Sequence, residues 1–219
     1  AASDVYKRQL LATLDRPQIA DKIADQLQTM QKEEKLNICA YTLRPSYPPK
    51  DLKIDHYGFP PEAEMALSMV HMDQIPLIGY GRIRCLAEHV GVKPESLLKP
   101  SPVQALAAIF ASFNGSEWEA LLTAHYLIGG ENPIDNFPIG YFEDLIRELP
   151  DLDIHVFEDT AGGMQAVRNA VRVLSSNGVN CHTYYWGITS NKEKKSALKE
   201  AKAVVLSSTN EAVEMALKS

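Results

Sequence analysis

Cysteine is scarce. Only Cys39, Cys85 and Cys181 occur in 219 residues, far apart and with no Cys-x-x-Cys pair. Their odd number and wide spacing exclude a disulfide framework, and they read as reduced, mostly buried thiols of a cytoplasmic protein. Long apolar runs are missing too: none approaches the roughly 18 residues that a membrane-spanning helix needs. Asp4, Lys7 and Arg8 interrupt the opening residues, so no signal peptide is legible there. Positive charge is in deficit, with 22 Lys and Arg against 28 Asp and Glu and a net charge of −6. That balance argues against a protein held to nucleic acid by phosphate contacts. Repeats and low-complexity segments are absent. What is there is ordinary: 45% hydrophobic and 23% charged residues, as in a globular protein. A chain of this length buries a core without disulfides or structural metal, as one large domain or one domain plus a small insertion.

Periodicity and punctuation then divide the chain. Pro17 opens a helix whose apolar stripe is Ile19, Ile23, Leu27 and Met30. Residues 36 to 41 read as a short buried strand ended by Thr42, and the prolines that follow forbid its continuation. A loop over 50–61 leads to a helix with Met65, Met69 and Met72 on one face, a stripe expected to be core. A strand over 75–80 meets Gly79-Tyr80-Gly81 and a helix. Pro100 and Pro102 introduce a helix over 103–113. Ser116, with Glu119 three residues on, has the capping-box pattern of another helix. A turn-rich loop over 129–138 and a short helix over 142–149 come next. Strands over 152–157, 180–186 and 203–206 then alternate with helices to 174, over 192–201 and over 210–218. Such alternation predicts an α/β fold with a parallel sheet covered on both faces. Tyr184, Tyr185 and Trp186 read as sheet core, and the histidines show no paired metal-ligand spacing.

Open parallel sheets bind ligands at the carboxyl ends of their strands. Those ends carry Thr42, Gly79 with Gly81, Glu158 with Asp159, and residues 187–190, while Lys99 precedes a helix. Two adjacent carboxylates are costly unless something positive sits between them, and magnesium, a hard cation with oxygen ligands, suits that place. A lysine and a hydroxyl aimed at the same point suit a phosphoryl group. Thr42, Lys99, Glu158 and Asp159 therefore read together as a phosphate-plus-metal site. Taken singly, each has an ordinary reading: a strand-end hydroxyl, a surface lysine, a pair of helix-capping acids.

Together these residues resemble the haloacid dehalogenase (HAD) superfamily of phosphatases and related hydrolases. Its second motif, an apolar strand ending in Thr or Ser, is matched by Ile38-Cys39-Ala40-Tyr41-Thr42. Its third, a lysine often followed by Pro-x-Pro, is matched by Lys99-Pro100-Ser101-Pro102. Its fourth, an acidic pair before a glycine-opened helix, is matched by Val156-Phe157-Glu158-Asp159-Thr160-Ala161-Gly162-Gly163. The resemblance covers roughly residues 36 to 218. It implies a Rossmann-like core with a parallel sheet flanked by helices, plus a helical insertion around 114–150. The family's first motif, Asp-x-Asp with the nucleophilic aspartate, has no match here. The stretch between Lys99 and Asp159 is long for the family, and Lys202 stands where a glycine is usual.

The lead-in over 1–9 resembles a translated adapter sequence, non-native or disordered, or is a genuine polar lead-in to a helix; in the first case the nucleophile lies upstream. Residues 10–35 would then be a cap remnant or a cap-to-core helix, and 36–219 the core. The resemblance implies a magnesium-dependent hydrolase acting on a small phosphorylated substrate. Thr42 would hydrogen-bond a phosphoryl oxygen, Lys99 would neutralise charge, and Glu158 with Asp159 would hold Mg2+. Neither nucleic acid nor membrane is an expected partner. The alternative is a catalytically inactive HAD-like binding or interaction protein. A third reading is a nucleotide- or sugar-handling enzyme using Gly79-Tyr80-Gly81.

Overall fold

The computed structural model describes residues 17–130, 144, 146–149 and 151–218. The lead-in over 1–9, most of the loop over 129–138 and much of the helix over 142–149 lie outside them.

Strand and helix alternate as the pattern predicts. The first half runs α1 (Asp21–Lys32), β1 (Ala40–Tyr41), α2 (Glu62–Ser68), β2 (Leu77–Ile78), α3 (Tyr80–Val90), α4 (Val103–Asn114) and α5 (Glu117–Leu127). The second runs β3 (Leu152–Glu158), α6 (Ala161–Ser176), β4 (Cys181–Ile188), α7 (Lys192–Glu200), β5 (Val204–Leu206) and α8 (Thr209–Ala216). Among the described residues the strands form two parallel sheets rather than one. β1 pairs with β2, Ala40 opposite Leu77, and β4 lies between β3 and β5. β1 and β3 are each paired on one side alone among the described residues. The protein is thus mixed α/β, with small parallel sheets flanked by helices.

Local chemistry sets the element ends. The Thr160 hydroxyl accepts from the Gly163 N–H and starts α6. Met164, Val167, Ala170 and Leu174 then bury one face, and Gly178, at φ +88°, ends the segment. Ser116 accepts from the Glu119 N–H, so the cap expected at α5 forms. Asn191 and Ser208 cap α7 and α8 in the same way. α4 is buried nearly all round, from Val103 through Leu106 and Phe110 to Ala111. It packs on α5, on α6 and on both short strands, and so ties the two sheets to one core.

The short strands are shorter than the apolar runs that announce them. β1 and β2 keep two residues each, and side chains take up the backbone groups around them. Glu117, 1% exposed, accepts from the Leu77 N–H at 2.9 Å and the Lys50 N–H at 3.0 Å. The fully buried Arg82 pairs with the same carboxylate at 3.0 Å, pairs with Glu64, and donates to the Tyr47 carbonyl at 2.8 Å.

One expectation needs correction on the β3–β4 face. Trp186 is buried and Tyr185 half-buried, but Tyr184 is 40% exposed. The two-residue period puts it on the Trp186 face, beside His155. The His155 ring stacks on Tyr184 at 4.6 Å, and its Nδ1 accepts from Trp186 Nε1 at 3.2 Å. Burial lowers the His155 pKa, partly opposed by Asp153. Because the folded value lies below the ordinary 6.5 or so, this group's contribution is intact above that pH and is lost as pH falls below it. Thermal melts between pH 7.5 and 5.5 should therefore show a smaller drop in midpoint for His155→Phe than for the parent. Equal drops would contradict the assignment.

Candidate functional site

The loop after β1 positions Thr42. Its N–H donates to the Ile78 carbonyl at 3.1 Å, and its hydroxyl accepts from the Arg44 N–H at 3.2 Å. Gln104, fully buried in the first turn of α4, donates through Nε2 to the carbonyls of both Thr42 (2.8 Å) and Ile78 (2.9 Å). One side chain therefore holds the carboxyl ends of β1 and β2 together. Nothing in its sequence context singled it out.

Lys99 lies between the two sheets. Its ammonium pairs with Glu158 at the end of β3 and sits 4.3 Å from the centre of the Tyr41 ring, at the end of β1. Lysine and glutamate are both largely buried, with side chains 13% and 7% exposed. The Lys99-Pro100 segment is tied down by Asn169 of α6, which donates to the Pro100 carbonyl at 3.0 Å. The Tyr41 hydroxyl is buried beside the Glu158 carboxylate. Burial first, then the Glu158 charge and the hydroxyl's interaction with that carboxylate, push its phenol well above the ordinary range.

The acidic pair splits. Glu158 turns inward to Lys99, and the Thr160 hydroxyl donates to its other oxygen at 3.4 Å. Asp159 turns outward, its side chain 60% exposed, and meets Lys194 of α7 at 2.6 Å. Gly163 makes the inward turn possible, since a Cβ there would stand 2.1 Å from the Glu158 carboxyl carbon. Of the four predicted residues, Lys99 and Glu158 are in direct contact. Thr42 follows the tyrosine on which Lys99 rests, and Asp159 is the outward neighbour of Glu158. No group of three His, Cys, Asp or Glu side chains poised for a metal occurs among the described residues. The two adjacent carboxylates are nonetheless hard oxygen donors of the kind that magnesium takes one or two at a time, with water and phosphate completing its shell.

The glycine turn is differently employed. The Tyr80 N–H donates to the Arg44 carbonyl and the Gly81 N–H to the Ser46 hydroxyl at 2.9 Å. A Cβ on Gly79 would lie 2.4 Å from that hydroxyl oxygen. The N-terminus of α3 is thus filled by the loop after β1 rather than open to a phosphate. A cavity of about 360 Å³ lies elsewhere, lined by Gln31, Lys50, Gln74, Pro76, Phe113 and Glu117 among others, and contains none of the four site residues. No helix among the described residues is long and apolar enough to cross a membrane.

Comparison with known proteins adds no name: no family model, curated protein or solved structure matches the chain.

Proposed function

We propose that this chain is the greater part of a HAD-like, magnesium-dependent hydrolase of the phosphatase type, acting on a small phosphorylated metabolite. The Rossmann-like core belongs to the same proposal. The observation that carries it is Lys99, which pairs with Glu158 at the end of β3 and rests on Tyr41 at the end of β1, where each strand has an unpaired edge among the described residues. A further parallel strand between them would join the two sheets in the order β2-β1-new-β3-β4-β5. Its carboxyl end would lie beside Lys99, where a nucleophilic aspartate would be needed.

In this reading Thr42 hydrogen-bonds a phosphoryl oxygen, and the Lys99 ammonium neutralises charge on the phosphoryl group and nucleophile. Partial burial strengthens that attraction, because less water screens it. Glu158 and Asp159 would have to turn toward one point, at least one of them leaving its lysine, to hold Mg2+, which supplies further charge neutralisation when bound. Lys194 and Lys99 balance the two acids without it.

The test is an in-frame extension upstream of residue 1. It should encode an apolar strand ending in Asp-x-Asp. The extended protein should hydrolyse p-nitrophenyl phosphate with magnesium. Lys99→Met should lower kcat about 100- to 1,000-fold. A natural start at residue 1, or an extension without the motif, would sink the catalytic reading and leave a binding protein.

A further inference from the structure

We propose that Tyr41 is a positioning residue of this site, its ring fixing the Lys99 ammonium so that one N–H is left for a phosphoryl anion near Thr42. The inference rests on the phosphate-site reading above.

Lysine is a point charge on four rotatable bonds, and a single carboxylate leaves it free to pivot. Here two attractions act on the ammonium. Glu158 holds it from the β3 side, and the π-face of Tyr41 lies beneath it at 4.3 Å on the β1 side. An ammonium has three N–H donors. One serves Glu158 and one faces the ring, so the third has a fixed direction.

The Tyr41 hydroxyl is buried beside the Glu158 carboxylate, so phenylalanine, which keeps the ring alone, separates what the ring does from what the hydroxyl does. The ring rather than the hydroxyl is what the site uses. Tyr41 and Thr42 are also consecutive, and Gln104 pins the Thr42 carbonyl. The backbone that carries both the ring and the Thr42 hydroxyl is therefore held in place.

The experiment measures binding of inorganic phosphate, with magnesium, to the 219-residue chain by calorimetry. Phosphate protection of Lys99 against acylation, read by mass spectrometry, provides a second readout. Tyr41→Phe should bind phosphate as the parent does. Tyr41→Leu and Tyr41→Met, which fill the space without a π-face, should bind about tenfold more weakly and lose the protection. In a Lys99→Met background the Tyr41→Leu change should have no further effect. If folded Leu and Met variants match the parent, the role of Tyr41 is overturned while the phosphate site stands. If the Phe variant weakens as they do, the ring is not what acts, and the proposal fails likewise. If the parent binds no phosphate, or Lys99→Met binds it equally well, the phosphate-site reading falls and takes the proposal with it.

Discussion

Replacing Arg82 with methionine is expected to cost about 3–5 kcal/mol of stability, the range found when one partner of a buried ion pair is removed. The guanidinium is fully buried and makes contacts at three nitrogens: with Glu117 through Nε and Nη2, and with Glu64 and the Tyr47 carbonyl through Nη1. Methionine fills much of the volume but leaves the Glu117 carboxylate with two backbone N–H donors and no counter-charge. Glu117 must then protonate, draw in water or move, and each response loosens β2. Urea titration should show a lower midpoint. A loss below about 1 kcal/mol would mean that the site admits water freely, since exposed pairs contribute no more than that.

Gly81→Ala should be nearly as damaging, for a reason of space alone. The added Cβ would lie 2.0 Å from the Ser46 carbonyl oxygen and 2.7 Å from that of Tyr47. These are backbone atoms, and they are held in place: Ser46 Oγ accepts from Gly81 itself, and Arg82 grips the Tyr47 carbonyl. The loop after β1 must shift, which should cost about 3 kcal/mol, at the upper end for an overpacked site. Gly162→Ala is the matched control. It lies in the first turn of α6 with nothing within 4 Å of the new Cβ, so it should be neutral or stabilising by about 0.5–1 kcal/mol. Thermal melts of the two variants should move in opposite directions or differ by many degrees. Similar midpoints would show that the Ser46 loop yields easily.

The second half of the fold was legible because each element there carries its own signals. Thr160, Asn191 and Ser208 cap the three helices, the first of them with a regular apolar spacing, and strands β3 to β5 follow one another with a helix between each pair. The first half was legible in kind but not in extent. The stretch over 36–41 was expected to be a buried strand, but it is only half-buried, Asn37 is exposed, and only Ala40 and Tyr41 join a ladder. The contact of Lys99 with Glu158 was implied by the order of motifs, although 59 positions separate them. The roles of Tyr41 and Gln104 were not, because each depends on a partner far along the chain and has no spacing of its own. Gly79 and Gly81 misled for the same reason: a glycine turn states that something approaches closely, and Ser46 rather than a ligand does so.

Glu117 has one more effect, which concerns assembly. The outer edge of a sheet ordinarily offers free N–H groups to a passing strand, and so invites dimers and aggregates. The outward N–H of Leu77 is already taken by a buried carboxylate that also holds Lys50 and Arg82. An incoming strand would have to displace a charge from its counter-charge to find a donor at β2, which closes that side of the sheet to growth.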